Sequence, residues 1–246
     1  MISNRDSKFI KSLQLKKFRQ LENQFVVEGA KNVLELIQSE LKIISLFATA
    51  NFIEKHEIEL ANCQASVNEV KEAELKKVGS FVNNNAVLAV VEMPTVQSLD
   101  ASKSVLAFDR IKDPGNLGTV IRIADWYGFD QIVCSSESVD CFNPKVISAT
   151  MGSFTRVKVH YASLSDILPK YNHTYGTTLQ GDNIHEIHFE EPAIIVFGNE
   201  SQGLDDALKP LIKQEVFIPG YGDAESLNVA ISTAVFCDNF RRLLKR

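Results

Sequence analysis

Val105-Leu106-Ala107-Phe108-Asp109-Arg110-Ile111-Lys112-Asp113-Pro114-Gly115-Asn116-Leu117-Gly118 opens with four apolar residues and ends on a polar, glycine-bearing turn. An unbroken apolar run of that length suits a strand buried on both faces. Thr119 to Tyr127 then reads as a helix bearing Arg122, and Gln131-Ile132-Val133-Cys134 as the next strand. Strand, helix, strand at this spacing predicts a parallel sheet, because parallel neighbours need a crossover between them. Ala193 to Phe197 and Val216-Phe217-Ile218 add two further apolar strands. A long final helix is expected over 226–244, with a broad apolar stripe of Leu227, Ala230, Ile231, Ala234, Val235 and Leu244.

Outward from that core, 95–103 is polar and aperiodic, which suits a linker. Before it, Phe9, Ile10, Leu13, Phe18 and Leu21 fall at roughly helical spacing, predicting one amphipathic helix over 9–21. Phe25-Val26-Val27-Glu28 reads as a strand ending at Gly29, and Val33, Leu34, Leu36 and Ile37 as a helix face. Ile43 to Ala48 and Ala86 to Val91 are apolar, β-prone runs with a helix expected at Val70 to Val78 between them. The chain therefore divides into a small α/β domain over 1–94, a linker over 95–103 and a larger α/β domain over 104–246.

Composition fits two ordinary folded domains: 246 residues, 45% hydrophobic and 23% charged. The N-terminus lacks the apolar core of a signal peptide, and no run of about 18 apolar residues occurs, so a cytoplasmic, membrane-free protein is expected. Cys63, Cys134, Cys141 and Cys237 lie far apart and form no C-x-x-C pair, and His185-x-x-His188 has no further ligands nearby. Neither a disulfide framework nor a metal site is expected. The net charge of -5 conceals a basic start, where Arg5, Lys8, Lys11, Lys16, Lys17 and Arg19 face a lone acid, Asp6. Nucleic-acid affinity rests on such local clusters rather than on whole-chain charge, although a merely solvated helix face reads the same way.

Three polar segments each follow a strand of the larger domain, where open α/β sheets place their ligands. In the first, Pro114-Gly115 makes a turn, Asn116 suits a helix-start position and Arg122 falls about one turn into the helix. A cation so near a helix N-terminus opposes the dipole, which hints at a ligand, although a surface Arg is the plainer reading. The second, Gly198-Asn199-Glu200-Ser201-Gln202-Gly203-Leu204, brackets an acid between glycines. It is not a P-loop, since Leu204 stands where the phosphate-binding Lys would be, and no G-x-G-x-x-G occurs anywhere. The third runs from Ile218-Pro219-Gly220 to Ser226, expected as the cap of the last helix, with Asn228 in its first turn.

Taken together, Asn116-x-Gly118-x-x-x-Arg122-x-Ala124, Gly198-Asn199-Glu200-x-x-Gly203, and Ile218-Pro219 with Glu225-Ser226-Leu227-Asn228-Val229-Ala230 resemble the three ordered motifs of the SpoU/TrmH RNA 2'-O-ribose methyltransferases. Residues 5–94, with Lys17-Phe18-Arg19 and Phe25-Val26-Val27-Glu28-Gly29, more softly resemble the L30e-like substrate-binding domain often fused to that catalytic domain. The resemblance implies a SPOUT-type parallel sheet with a deep trefoil knot, S-adenosylmethionine (SAM) as cofactor, RNA as partner and a homodimer through the catalytic domain. Carried over by motif position, Leu179, Gly198, Ile218 and Leu227 would hold SAM, and Asn116, Arg122, Glu200, Ser226 and Asn228 would line the reaction site. Lys16, Lys17, Arg19 and Arg122 would contact RNA. Phe236 and Phe240 suggest more apolar surface on the final helix than one sheet face needs, which would also favour a dimer. Two positions depart from the family pattern: Gly220 stands where Met is common, and Ser148 where Arg is common. Ribosomal RNA is the expected substrate, with methylation of a base or of tRNA, and a catalytically silent RNA-binding protein, as alternatives.

Overall fold

A computed structural model describes all residues except 81–85, 96, 200, 245 and 246. The chain forms two units: residues 1–95 together with 140–156, and residues 96–139 together with 157–246. The first unit thus takes a segment out of the middle of the expected larger domain.

In the first unit, β1 (Gln24–Glu28), β2 (Ile43–Ala48), β3 (Val67–Glu69) and β4 (Val87–Glu92) form a sheet in the order β1-β4-β2-β3. β4 pairs antiparallel with both β1 and β2, and β3 runs parallel to β2. Alternation sorts β1 and β4 between two cores, as the period of two requires. Phe25, Val27, Val87, Ala89 and Val91 pack on one face with Val33, Leu36 and Ile147. Val26, Leu88 and Val90 pack on the other with Ile10, Leu13, Leu75 and Val78. The borrowed segment is part of the first core: Phe142 and Phe154 have ring centroids 4.7 and 6.2 Å from that of Phe25. The expected single helix over 9–21 is two, Asn4–Ser12 and Lys16–Glu22, with a break at Leu13–Leu15.

The second unit is a six-stranded, wholly parallel sheet. Its strands are β5 (Val105–Phe108), β6 (Gln131–Cys134), β7 (Lys158–Tyr161), β8 (His173–Asn183), β9 (Ala193–Phe197) and β10 (Gln214–Phe217), in the order β10-β8-β9-β5-β6-β7. Val105, Ala107, Val133, Ile194 and Val196 build one core with Leu164, Leu168 and Tyr171. The other face is aromatic: Phe108 stacks on Phe197 at 5.1 Å, and Phe197 meets Phe236 edge-on at 5.5 Å. Phe240 lies between Phe129 and Phe189, 5.7 and 5.2 Å away. Phe236 and Phe240 are therefore core residues, 1% and 0% exposed, and leave no surplus aromatic surface on the last helix. The argument for a dimer from those two side chains fails, because the sheet itself covers them.

Both helices that matter to the site start differently from expectation. The first is Pro114–Trp126: Asp113 is its cap, its carboxylate accepting from the Asn116 N–H at 2.7 Å, and Pro114 takes the first-turn position where no N–H is needed. Arg122 therefore sits two turns inside the helix, beyond the reach of the terminal dipole, and the dipole argument for its function lapses. The last helix is Val229–Arg242, capped by Asn228 rather than Ser226, with the Asn228 Oδ1 accepting from the Ala230 N–H at 2.9 Å.

Candidate active site

The three strands that end in the predicted SAM-binding segments are adjacent, β10-β8-β9, and parallel. Gly176 pairs with Val196 on one side and Glu215 on the other, so Leu179, Gly198 and Ile218 all follow within a few residues of one level of the sheet. Between β8 and β10 the pairing jumps from Glu215–Gly176 to Val216–Asp182, leaving residues 177–181 out of register. Leu179, 74% exposed, is in this excursion. Gly181 ends it at φ 117°, with Glu215 O only 2.5 Å from where a Cβ would stand.

After β9 the chain turns sharply. Asn199 and Gly203 exchange both backbone hydrogen bonds at 2.9 Å, and the Asn199 Oδ1 accepts from the Ser201 and Gln202 N–H groups at 3.0 and 3.2 Å. A Cβ on Gly198 would stand 2.3 Å from the Gly203 carbonyl carbon, so only glycine fits this closure. The end of β5 grips the same turn. The Asn199 Nδ2 donates to Arg110 O at 3.1 Å, the Arg110 guanidinium donates to Gln202 at 3.1 Å, and the Asp205 N–H donates to Asp109 at 3.1 Å. In the sequence Asp109 and Arg110 read only as part of a turn. Their role was not legible there, since their partners lie about 90 residues on.

The loop after β10 is open by contrast. Residues 220–228 are exposed, and neither Gly220 nor Gly222 has a neighbour within 4 Å of a Cβ position. Leu227 is 49% exposed and Tyr221 93%. This loop is joined to the first helix through side-chain amides: the Asn228 Nδ2 donates to the Asn116 Oδ1 at 3.1 Å. Two predicted reaction-site residues are thereby brought together. Arg122 is exposed on the helix that carries Asn116, Ser226 is exposed in the loop, and Glu200 lies outside the described residues.

Of the predicted RNA contacts in the first unit, Lys16 and Lys17 are exposed and Arg19 is not. Arg19 is 1% exposed, with Nε and Nη2 on Asp140 at 3.1 and 2.5 Å and Nη1 on the carbonyls of Leu13 and Gln14, each at 2.9 Å. Its donors are committed to fixing 140–156 and the helix break, so the RNA assignment is corrected to a structural one. Among the described residues there is no group of three or more His, Cys, Asp or Glu that could hold a metal. Burial pushes the Cys237 thiol up to about 12, which removes it as a nucleophile at neutral pH. A cavity of about 400 Å³ lined by Gln97, His160, Tyr161 and Lys170 lies on the β7 side of the unit and includes none of the motif residues.

Residues 103–238 match the SpoU rRNA Methylase family, and residues 4–89 match an MRM3-like substrate binding domain. The chain is 31% identical, over 97% of its length and 96% of the relative's, to the 23S rRNA (guanosine(2553)-2'-O)-methyltransferase RlmP of Bacillus subtilis (strain 168). Among solved structures it resembles a putative RNA methyltransferase of the TrmH family from Porphyromonas gingivalis, with a TM-score of 0.86 and 33% identity over 98% of this chain and 99% of that one. It also resembles an AdoMet-bound rRNA methyltransferase from Sinorhizobium meliloti, with a TM-score of 0.86 and 28% identity over 98% and 96% of the two chains. A parallel sheet in which the ordered motifs follow β5, β9 and β10 is thus joined to sequence similarity along nearly the whole chain, and the protein belongs to the SpoU rRNA methylase family.

Proposed function

We propose that this protein transfers the methyl group of SAM to a ribose 2'-hydroxyl of ribosomal RNA. The observation that carries the reading is that Leu179, Gly198 and Ile218 lie in or directly after the adjacent parallel strands β8, β9 and β10, and that Leu227 precedes Asn228, which is bonded to Asn116. That rim suits SAM: exposed Leu179 and Leu227 offer apolar cover for an adenine ring, and the strand-end backbones offer polar edges. Bound SAM supplies an electrophilic methyl group, so the residues of this chain need only orient the acceptor oxygen and stabilise the charge it develops.

Arg122 is assigned that second task. A guanidinium stays protonated at neutral pH and is a poor base there, so Arg122 holds the acceptor's phosphate and stabilises the developing alkoxide. The proton leaves through that phosphate or through water. Asn116 and Asn228, joined to each other, set the helix that carries Arg122 against the loop after β10. Exposed Lys16 and Lys17 in the first unit contribute phosphate contacts. The deep knot implied by the resemblance is supported by the strand order, in which β9 lies between β8 and β5 and β10 is added outside β8. A cytoplasmic setting belongs to the same proposal, in keeping with the similarity to a bacterial 23S rRNA methyltransferase.

Replacing Arg122 by Ala should cut turnover about 100- to 1,000-fold, the usual cost of removing one preorganised charge, while calorimetry shows SAM affinity nearly unchanged. Arg122→Lys should restore little, because a point charge lacks the planar fork. Near-normal turnover by Arg122→Ala would defeat this assignment. We also propose a homodimer through the second unit, supported by Trp126 at 84% and Ile231 at 55% exposed on its helices. Light scattering should give twice the 27.4 kDa chain mass, and a monomer at micromolar concentration would refute it.

A further inference from the structure

Arg110 is a non-glycine residue in the left-handed region, at φ 54°. Such a conformation costs free energy and persists only where its surroundings enforce it. Here both the carbonyl and the guanidinium of one residue reach the turn that follows β9. The carbonyl accepts from the Asn199 Nδ2 at 3.1 Å, and Nη1 donates to the Gln202 Oε1 at 3.1 Å and lies 3.3 Å from an Asp205 carboxylate oxygen. Behind it, Nε and Nη2 engage both carboxylate oxygens of Asp109 at 3.1 and 2.9 Å, a bidentate fork that fixes the guanidinium plane. Asp109 is 5% exposed and also accepts from the Asp205 N–H, so the fork is anchored in the sheet and tied to the turn at the same time. The Arg110 N–H donates to the Ser135 Oγ at 2.7 Å, which secures the strained residue from the β6 side.

We propose that Arg110 is a positioning residue for SAM: it holds the turn bearing Gly198 and Asn199 in the shape that receives the cofactor, without touching the reacting atoms. The inference rests on the reading of that turn as a wall of the SAM pocket. A bidentate, carboxylate-anchored guanidinium is more than the fold needs here, because the Asn199–Gly203 pair and the Gly198 closure already shape the turn locally. What Arg110 adds is a fixed distance between the turn and the end of β5.

The test uses the full chain, three single variants and one double variant. Arg110→Gly keeps the left-handed backbone at no steric cost and removes the whole side chain, guanidinium included. It should raise the SAM Kd and the KM for SAM about tenfold, as loss of charge-assisted hydrogen bonds does, with kcat at saturating SAM held within about threefold. Arg110→Lys should recover only part of the affinity, since it keeps charge without the fork. Gln202→Ala should weaken SAM binding in the same direction but less, and the Arg110→Gly, Gln202→Ala double variant should bind no worse than Arg110→Gly alone, because both act through one bond. Three results would overturn the proposal: wild-type SAM affinity in Arg110→Gly, a lowered unfolding midpoint as its only effect, or a fall in kcat with KM unchanged. Wild-type protein that bound no SAM would instead overturn the reading of the site, and this inference with it.

Discussion

The loops after β9 and β10 flank β8 from either side, and they are built in opposite ways. The first is closed by reciprocal backbone bonds, a side-chain turn at Asn199 and a clamp from Asp109 and Arg110. The second is exposed from Gly220 to Asn228, with open space at both glycines. A preformed wall loses little freedom when a ligand arrives, whereas an open lip must be ordered and sets that entropy against binding. On the proposed reading of the site, one side is thus shaped by the fold itself, and the other is exposed.

The contrast can be broken most forcefully at Gly198. An alanine Cβ there would lie 2.4 Å from the Leu204 nitrogen as well as 2.3 Å from Gly203, so the turn must shift. Overpacking of this kind costs about 1–3 kcal/mol, and if the turn holds SAM as proposed, the SAM Kd should rise by up to about 100-fold in calorimetry. Unchanged SAM affinity would mean that the closed turn is not part of the pocket.

A smaller effect is expected at Asn228, where the open loop meets the last helix. Asn228→Ala removes a helix cap, worth about 0.5–2 kcal/mol, together with the bond to Asn116. Urea unfolding should report the lost stability, and turnover should fall while SAM affinity changes little. A drop in SAM affinity larger than the drop in turnover would move Asn228 from the acceptor side of the site to the cofactor side.

The smallest effect should come from Gly220→Ala, the mirror of Gly198→Ala. With no neighbour within 4 Å and no positive φ, the methyl group meets nothing. SAM affinity should stay within about twofold, and stability should rise by about 0.4–1 kcal/mol through the unfolded chain. A loss as large as that at Gly198 would show that the lip is as rigid as the wall.

The same contrast marks what could be read from sequence. The strands β1, β2, β4, β5, β6, β9 and β10 are apolar runs between polar breaks, and each was legible to within two residues. β3 was not, since all of Val67-Asn68-Glu69 is exposed, nor was β7, an edge strand whose ends Lys158 and Tyr161 face solvent. β8 combines Gly176 and Gly181 with polar threonines around an excursion, which disguises both its start and its length. The position of residues 140–156 in the first unit had no local signal at all, because it depends on partners far away in the chain: the Arg19–Asp140 pair and the packing of Phe142 and Phe154 on Phe25. Arg19 misled for a related reason: a cation among exposed cations reads as one more surface charge until its partner is known. Motif residues could be placed from their order along the chain, but Arg110 could not, because its conformation and acceptors exist only in the folded sheet end.

Methyl transfer to a ribose oxygen is the reaction to be measured. Labelled methyl from SAM should be carried by the full chain to ribosomal RNA, and the product should appear as an alkali-resistant dinucleotide, because a 2'-O-methyl group removes the nucleophile on which alkaline cleavage depends. Label found in base-methylated nucleotides, or no transfer to any RNA by protein that binds SAM, would contradict it.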